Sequence, residues 1–232
     1  MLGQELEKKI KALIRSTWLY KKKIALDDAR YESLRAPLIP KLATLIKPTT
    51  SIISSNCFAG RVMQDLAMQY NSPTLGLYFW AEDYIEFLKN LRFYLTEAQI
   101  TFTDKSKYAL GDERRLSWKH WYPIGLLDNK VEIHFLHYHS EQEAAEKWYR
   151  RASRVNFDDL LVVGMEQNLC TPQTIAEFDQ LSFKKKMFFS TKNLDLESNI
   201  FMPEFLKQGE VGDPYKNAHI FYDYLIRKLE SL

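Results

Sequence analysis

The sequence predicts an α/β layered fold: a mostly parallel, mixed sheet flanked by helices, with one antiparallel hairpin and an N-terminal helical segment. Three observations predict it. Short β-branched or apolar runs at 51–55, 74–79, 160–165 and 186–190 alternate with amphipathic stretches of roughly 10–15 residues, the pattern of strand–helix–strand units. The run at 160–165 is apolar throughout, as a strand buried on both faces of a parallel sheet must be. Asp128-Asn129 joins two alternating runs, 122–127 and 130–138, and both residue types tolerate the positive φ of a tight hairpin turn.

Residues 2–26 read as a basic amphipathic helix. Leu6, Ile10, Leu13, Ile14 and Leu19 make its apolar stripe; lysines and Arg15 make the other side, with Trp18 and Tyr20 at the boundary. Such a helix either lies on an anionic membrane surface or docks on its own domain. A second helix is expected over 27–34. Pro37, Pro40 and Pro48 then mark 36–49 as a linker, which divides the chain into a basic helical segment, 1–47, and an α/β domain, 48–232.

Within the domain, 51–55 is a strand, 56–60 a turn and 61–70 a helix. Ser72-Pro73 precedes the strand at 74–79. A helix follows over 81–95, with Glu82 and Asp83 in the first turn, where the helix dipole favours anions. Residues 99–103 form a short strand and 105–119 a polar surface loop. After the hairpin, Ser140 opens a capping box with Glu143, and a helix runs on with Ala144, Ala145, Trp148 and Ala152 inward. Thr171-Pro172 and Asp213-Pro214 each place a capping residue before a proline, so helices are expected over 172–181 and 215–229. A last edge strand is expected over 200–205.

Composition bounds the function. The 232 residues are 46% hydrophobic and 27% charged, ordinary for a soluble domain, and 8 Gly with 8 Pro argue against disorder. Cys57 and Cys170 lie far apart in the sequence and give no disulfide framework or zinc pattern, which fits a reducing, cytoplasmic location. No signal peptide is visible, and no run approaches the roughly 20 apolar residues that cross a bilayer. The net charge of +2 gives no ground for nucleic acid binding. Charge is uneven, however: residues 1–47 hold eleven Lys and Arg against five acids, +6 in all, leaving −4 for the rest. That bias supports a peripheral position at the inner face of the membrane.

The candidate site centres on 134–156, which holds His134, His137 and His139 and ends in Arg150, Arg151 and Arg154. On an extended strand His137 and His139 share one face and His134 the other. Histidine titrates near neutral pH, so His137 and His139 are the candidates for acid–base catalysis. The arginines either complement the helix dipole on a solvated face or clamp an anion with planar guanidinium groups. The turn 56–60 lies where open α/β sheets bind ligands, so Asn56, Cys57 and Gly60 are candidates for approaching a phosphate; it is neither G-x-G-x-x-G nor a Walker loop. Cys57 is either a nucleophile activated by the helix N-terminus or an inert thiol. His-x-His lacks a third ligand, so no metal and no cofactor are expected.

Several stretches resemble one bacterial family of unknown function: SIISSNCFAG at 51–60, SPTLGLYF at 72–79, AEDYIEFLKNLRFYL at 81–95, the block from Tyr122 to Asn156, and FDQLSFKKKMFFSTK at 178–192. Asn56, Cys57, His134, His137, Tyr138, Trp148, Arg150, Arg151 and Asn156 fall on positions matching its pattern. Members are often labelled exopolysaccharide or capsule biosynthesis proteins. The resemblance implies a glycosyl or acyl transferase taking a sugar nucleotide or other anionic small molecule. In that scheme Asn56, Cys57, Gly60, His134, Tyr138, Arg150, Arg151 and Arg154 bind substrate and His137 or His139 is the base. No D-x-D motif accompanies them. The alternatives are a non-catalytic module binding glycan or a partner, and a metal-dependent hydrolase using the histidines.

Overall fold

The computed structural model describes residues 17–118 and 120–232. Residues 2–16 of the expected basic helix lie outside them. Helix α1, Trp18–Arg35, crosses the expected boundary at 26–27 without a break. A 3₁₀ turn, Ala36–Leu38, leads into α2, Ile39–Leu45. Residues 36–49 are therefore not an extended linker. Pro37 and Pro40 sit in first turns, where the missing N–H leaves nothing unpaired, and Leu42 and Ile46 are buried in the core.

Strand β1, Ser51–Ser54, turns into α3, Phe58–Asp65. Residues 74–79 are not a strand of the sheet: Gly76 turns back at φ +71°, and Tyr78 alone pairs, with His134, through two 2.9 Å backbone hydrogen bonds. The helix expected over 81–95 breaks at Asn90 into α4, Ala81–Lys89, and α5, Leu91–Thr96. Then come β2, Ile100–Thr103, and α6, Ala109–Ser117, which replaces the expected surface loop. Strands β3, Ile124–Leu127, and β4, Val131–His134, form the hairpin, with Asp128 and Asn129 both at positive φ. Helix α7, Glu141–Ala152, β5, Leu160–Met165, and α8, Pro172–Asp179, follow. The chain ends with β6, Lys185–Ser190, β7, Asn199–Phe201, a 3₁₀ turn, Pro203–Gln208, and α9, Ala218–Glu230. Helix α9 begins later than expected because Asp213 caps a turn instead, accepting from the Tyr215 amide at 2.8 Å.

Strands β1, β5, β6 and β7 make a four-stranded parallel sheet in chain order. The hairpin does not join it. It pairs with β2 in a separate three-stranded antiparallel sheet. The fold class is α/β, as the alternation of elements requires.

Side-chain alternation sends each strand's apolar residues to two cores. Ile52, Leu161, Val163, Met187 and Phe189 face α2, α3 and α9. Ile53, Val162 and Phe188 face α4, α5, α7 and the antiparallel sheet. Gly164 is the small residue under Phe188: a Cβ there would stand 2.2 Å from the ring. The Tyr84 hydroxyl bonds the Ile53 and Val163 carbonyls at 3.1 and 2.9 Å, tying α4 to two strands. On the other side Asp65 binds Arg35 Nε, Arg61 Nη2 and the Tyr222 hydroxyl, which joins α1, α3 and α9. The Tyr84 anchor grips β1 and β5 just before the loops at their C-terminal ends.

Candidate functional site

Those loops wall a cleft of about 850 Å³. Its place follows from topology, since ligands of open α/β sheets sit beyond the carboxyl ends of the strands. After β1, Asn56 ties the turn to its neighbour: its amide nitrogen donates to Gln167 Oε1 at 2.9 Å, and its Oδ1 accepts from the Phe58 amide at 3.1 Å. After β5, the buried Glu166 carboxylate accepts from the Thr191 amide and hydroxyl and pairs with Lys192 at 2.7 Å. The Glu166 carbonyl accepts from Val211, which pins the strap 208–216 as a further wall.

Arg151 supplies the fixed cation. It lies in the last turn of α7 and is buried, with Nη1 donating to the Tyr138 hydroxyl at 2.6 Å and its guanidinium 5.3 Å from the Tyr70 ring centroid. Among the described residues no carboxylate pairs with it; Lys147, beside it in the cleft wall, pairs with Glu143. His137 is exposed at the same cleft. Its amide donates to the Gly76 carbonyl at 3.0 Å, and a Cβ on Gly76 would stand 3.3 Å from the His137 Cβ. The positive φ of Gly76 and this close approach set where the imidazole begins. Glu210 and Asp213 put acids in the strap wall, and Tyr70, Tyr78, Tyr138, Tyr215 and Trp118 supply rings.

Of the residues picked from sequence, Asn56, Cys57, Gly60, His137, Tyr138 and Arg151 line this cleft. The others do not. Strand β4 stops at His134, so the expected alternation ends there. His134 is fully buried among the Tyr122 hydroxyl, the Trp80 indole nitrogen and Glu132, at 3.0, 3.0 and 2.7 Å. His139 is exposed with its ring 5.1 Å from that of His120, and it does not line the cleft. Arg150 is exposed outside the cleft, and Arg154 donates to the Tyr70 carbonyl at 3.4 Å. The described residues bring together no group of three or more His, Cys, Asp and Glu that could hold a metal ion.

The turn at 56–60 is not built like a phosphate loop. Two amides at the start of α3 are already used: Phe58 donates to Asn56 and Ala59 to the Ser54 hydroxyl at 3.1 Å. Gly60 is not sterically obligatory, since a Cβ would meet only Leu75 at an ordinary 3.8 Å. Burial, with the charge of Asp213, pushes the Cys57 thiol up to about 12, so it stays protonated and is no activated nucleophile.

Residues 20–231 match a family described as "Domain of unknown function (DUF1919)". The chain belongs to the DUF1919 family. It is also 37% identical over 178 residues to a Haemophilus influenzae protein described as "Uncharacterized protein", covering 75% of this chain and 79% of that one. The family match, 20–231, spans every residue that lines the DUF1919 cleft. Two elements that build it are not marked as part of a site by the sequence: α6, which brings Arg114 and Trp118 to the cleft, and the strap 208–216, where Asp213-Pro214 reads only as a helix start. Helix α6 buries one residue, Gly111, so it carries almost no apolar stripe to detect. Among the described residues no helix is long and apolar enough to cross a membrane.

Proposed function

We propose that the cleft binds the anionic group of a nucleotide-linked or otherwise phosphorylated sugar and transfers that sugar in the assembly of surface polysaccharide. The observation that carries this reading is Arg151: a buried, carboxylate-free guanidinium on the wall of an 850 Å³ cleft that His137 also faces. A guanidinium held this way gains more from a phosphate than an exposed one, because no carboxylate and little bulk water compete for it. The tyrosines and Trp118 give flat faces to sugar or base rings, and Glu210 and Asp213 accept from sugar hydroxyls.

On this reading the reaction is a displacement at the anomeric carbon. An acceptor hydroxyl loses its proton to His137 as its oxygen bonds the anomeric carbon of the donor. The bond from that carbon to the phosphate oxygen breaks, and the electron pair leaves with the phosphate, whose charge Arg151 holds. The cationic excess of residues 1–47 supports work at the cytoplasmic face of the membrane, where lipid-linked acceptors sit.

A thermal-shift screen of sugar nucleotides, with acyl-CoA as the competing donor class, tests this reading. A ligand at about 100 times its Kd adds ~2.7 kcal/mol of stability and raises Tm by several degrees. That rise is expected for a sugar nucleotide and is lost in Arg151→Ala. Stabilisation by none of them, or an equal shift in Arg151→Ala, overturns the reading.

A further inference from the structure

The cleft holds a second cation whose setting differs from that of Arg151. Arg114 on α6 lies with its guanidinium 4.5 Å from the Tyr78 ring centroid and 5.1 Å from that of Trp80. Its neighbour Arg115 is used by the fold, donating to the Asp104 carbonyl at 2.8 Å. Among the described residues Arg114 has no ion pair, and it faces the cleft. Beneath it Tyr78 is 4% exposed, and its hydroxyl makes no hydrogen bond of good geometry although Arg114 and Asn168 stand near. A buried hydroxyl is rarely left unpaired, because it forfeits the hydrogen bonds it would make to water. Here it lines the same cleft, next to Trp118.

These three groups suit one kind of ligand. A guanidinium packed against two adjoining rings, whose centroids are 5.4 Å apart, is partly dehydrated and forms no ion pair among the described residues, so its N–H fork can meet a carboxylate or phosphate with two hydrogen bonds. The Tyr78 hydroxyl adds a third polar contact, and Trp118 offers a flat apolar face for the C–H side of a pyranose ring.

We propose that Arg114, Tyr78 and Trp118 form a second subsite of the cleft that takes an acidic saccharide, a sugar bearing a carboxylate or a phosphate, as the acceptor. This inference rests on the transferase reading for its role as acceptor site, but its binding chemistry is independent of the donor.

Isothermal titration of the full chain tests it with three probes: a hyaluronan tetrasaccharide for the carboxylate, glucose 6-phosphate for the phosphate, and maltotetraose as the neutral control. At least one acidic probe is expected to bind tighter than maltotetraose. Arg114→Gln should weaken that probe about tenfold or more, Arg114→Lys less, and Tyr78→Phe by a few-fold, with circular dichroism unchanged. Arg151→Ala should abolish sugar-nucleotide binding and leave the acidic saccharide within about twofold, as independent subsites require. If no nucleotide binds but an acidic saccharide still depends on Arg114, the donor reading falls and the subsite stands. Acidic probes that bind no better than maltotetraose, or equally well to Arg114→Gln, overturn the subsite.

Discussion

Arg151 Nη1 and the Tyr138 hydroxyl are 2.6 Å apart, and the same hydroxyl donates to the Leu75 carbonyl at 2.6 Å. The tyrosine therefore fixes the arginine from a point that is itself fixed, and the remaining guanidinium donors are left to the cleft. Removing only the hydroxyl tests this. Tyr138→Phe deletes one hydrogen bond to a charged group, worth about 1.5–3 kcal/mol, and frees Arg151 to move. Sugar-nucleotide affinity is expected to fall roughly tenfold by titration calorimetry. Arg151→Lys keeps the charge but loses the fork, and should fall at least as far. Unchanged affinity in both variants would place the anion elsewhere.

His137 reaches the cleft from a turn, not from a strand, and its backbone is held by Gly76. A group that acts as base but does not hold substrate has a distinct kinetic signature. His137→Gln is expected to lower kcat by about 10²–10⁴ with KM little changed. The same substitution at His139, which stands outside the cleft, should leave both constants near wild type. Equal losses at the two positions would remove the assignment of His137.

Cys57 lines the cleft but is held neutral, its thiol pushed up to about 12 by burial and by Asp213. Only the thiolate is nucleophilic, so iodoacetamide should label it far more slowly at pH 8 than it labels free cysteine. Cys57→Ser should keep transfer activity within a few-fold. Fast labelling together with inactivity of the serine variant would restore the covalent role.

The difference between these histidines shows where sequence reading stops. Strand 160–165 was legible because both its faces are buried, so its composition alone reveals it. Caps at Ser140 and Thr171 were legible because each side chain bonds the amide three residues on, at 3.1 and 3.2 Å. Alternation beyond His134 was not, because the chain leaves the extended conformation there: the Leu136 amide returns to the His134 carbonyl and the Tyr138 amide to that of Phe135. Apolar Leu-Gly-Leu-Tyr-Phe at 75–79 looks like a strand from its residues, but it packs between two sheets and pairs through Tyr78 alone. Arg114 and the strap were invisible because a cleft wall built from a polar helix and a loop has no period.

A buried carboxylate in the first turn of α4 predicts how stability varies with pH. Asp83 is 3% exposed; one oxygen accepts from Lys107 at 2.5 Å and the other has no partner. Burial raises its pKa from 3.8 to about 6, outweighing the pull of Lys107. Tyr94 and Tyr108 also feel its charge, and Glu132 reaches it through a backbone hydrogen bond. A raised acid favours its neutral form in the fold. Between its unfolded and folded pKa values the native state holds a proton that the unfolded chain has released, so stability falls as pH rises from about 4 to 6. Glu132 has the opposite sign: burial works to raise it, but His134, Ser106 and the Lys107 amide win and hold it low. Its stabilisation disappears only as pH falls below the ordinary 4.5, beneath most of the Asp83 window. Asp83→Asn should therefore flatten the urea midpoint between pH 4.5 and 6.5. It should also leave the protein at least as stable as wild type at pH 7, because the Lys107 side chain, 42% exposed, stays solvated without its partner. The wild-type change across the window should be on the order of 1–3 kcal/mol. If Asp83→Asn keeps the wild-type slope, another group carries the pH dependence and the charge on Asp83 costs the fold nothing.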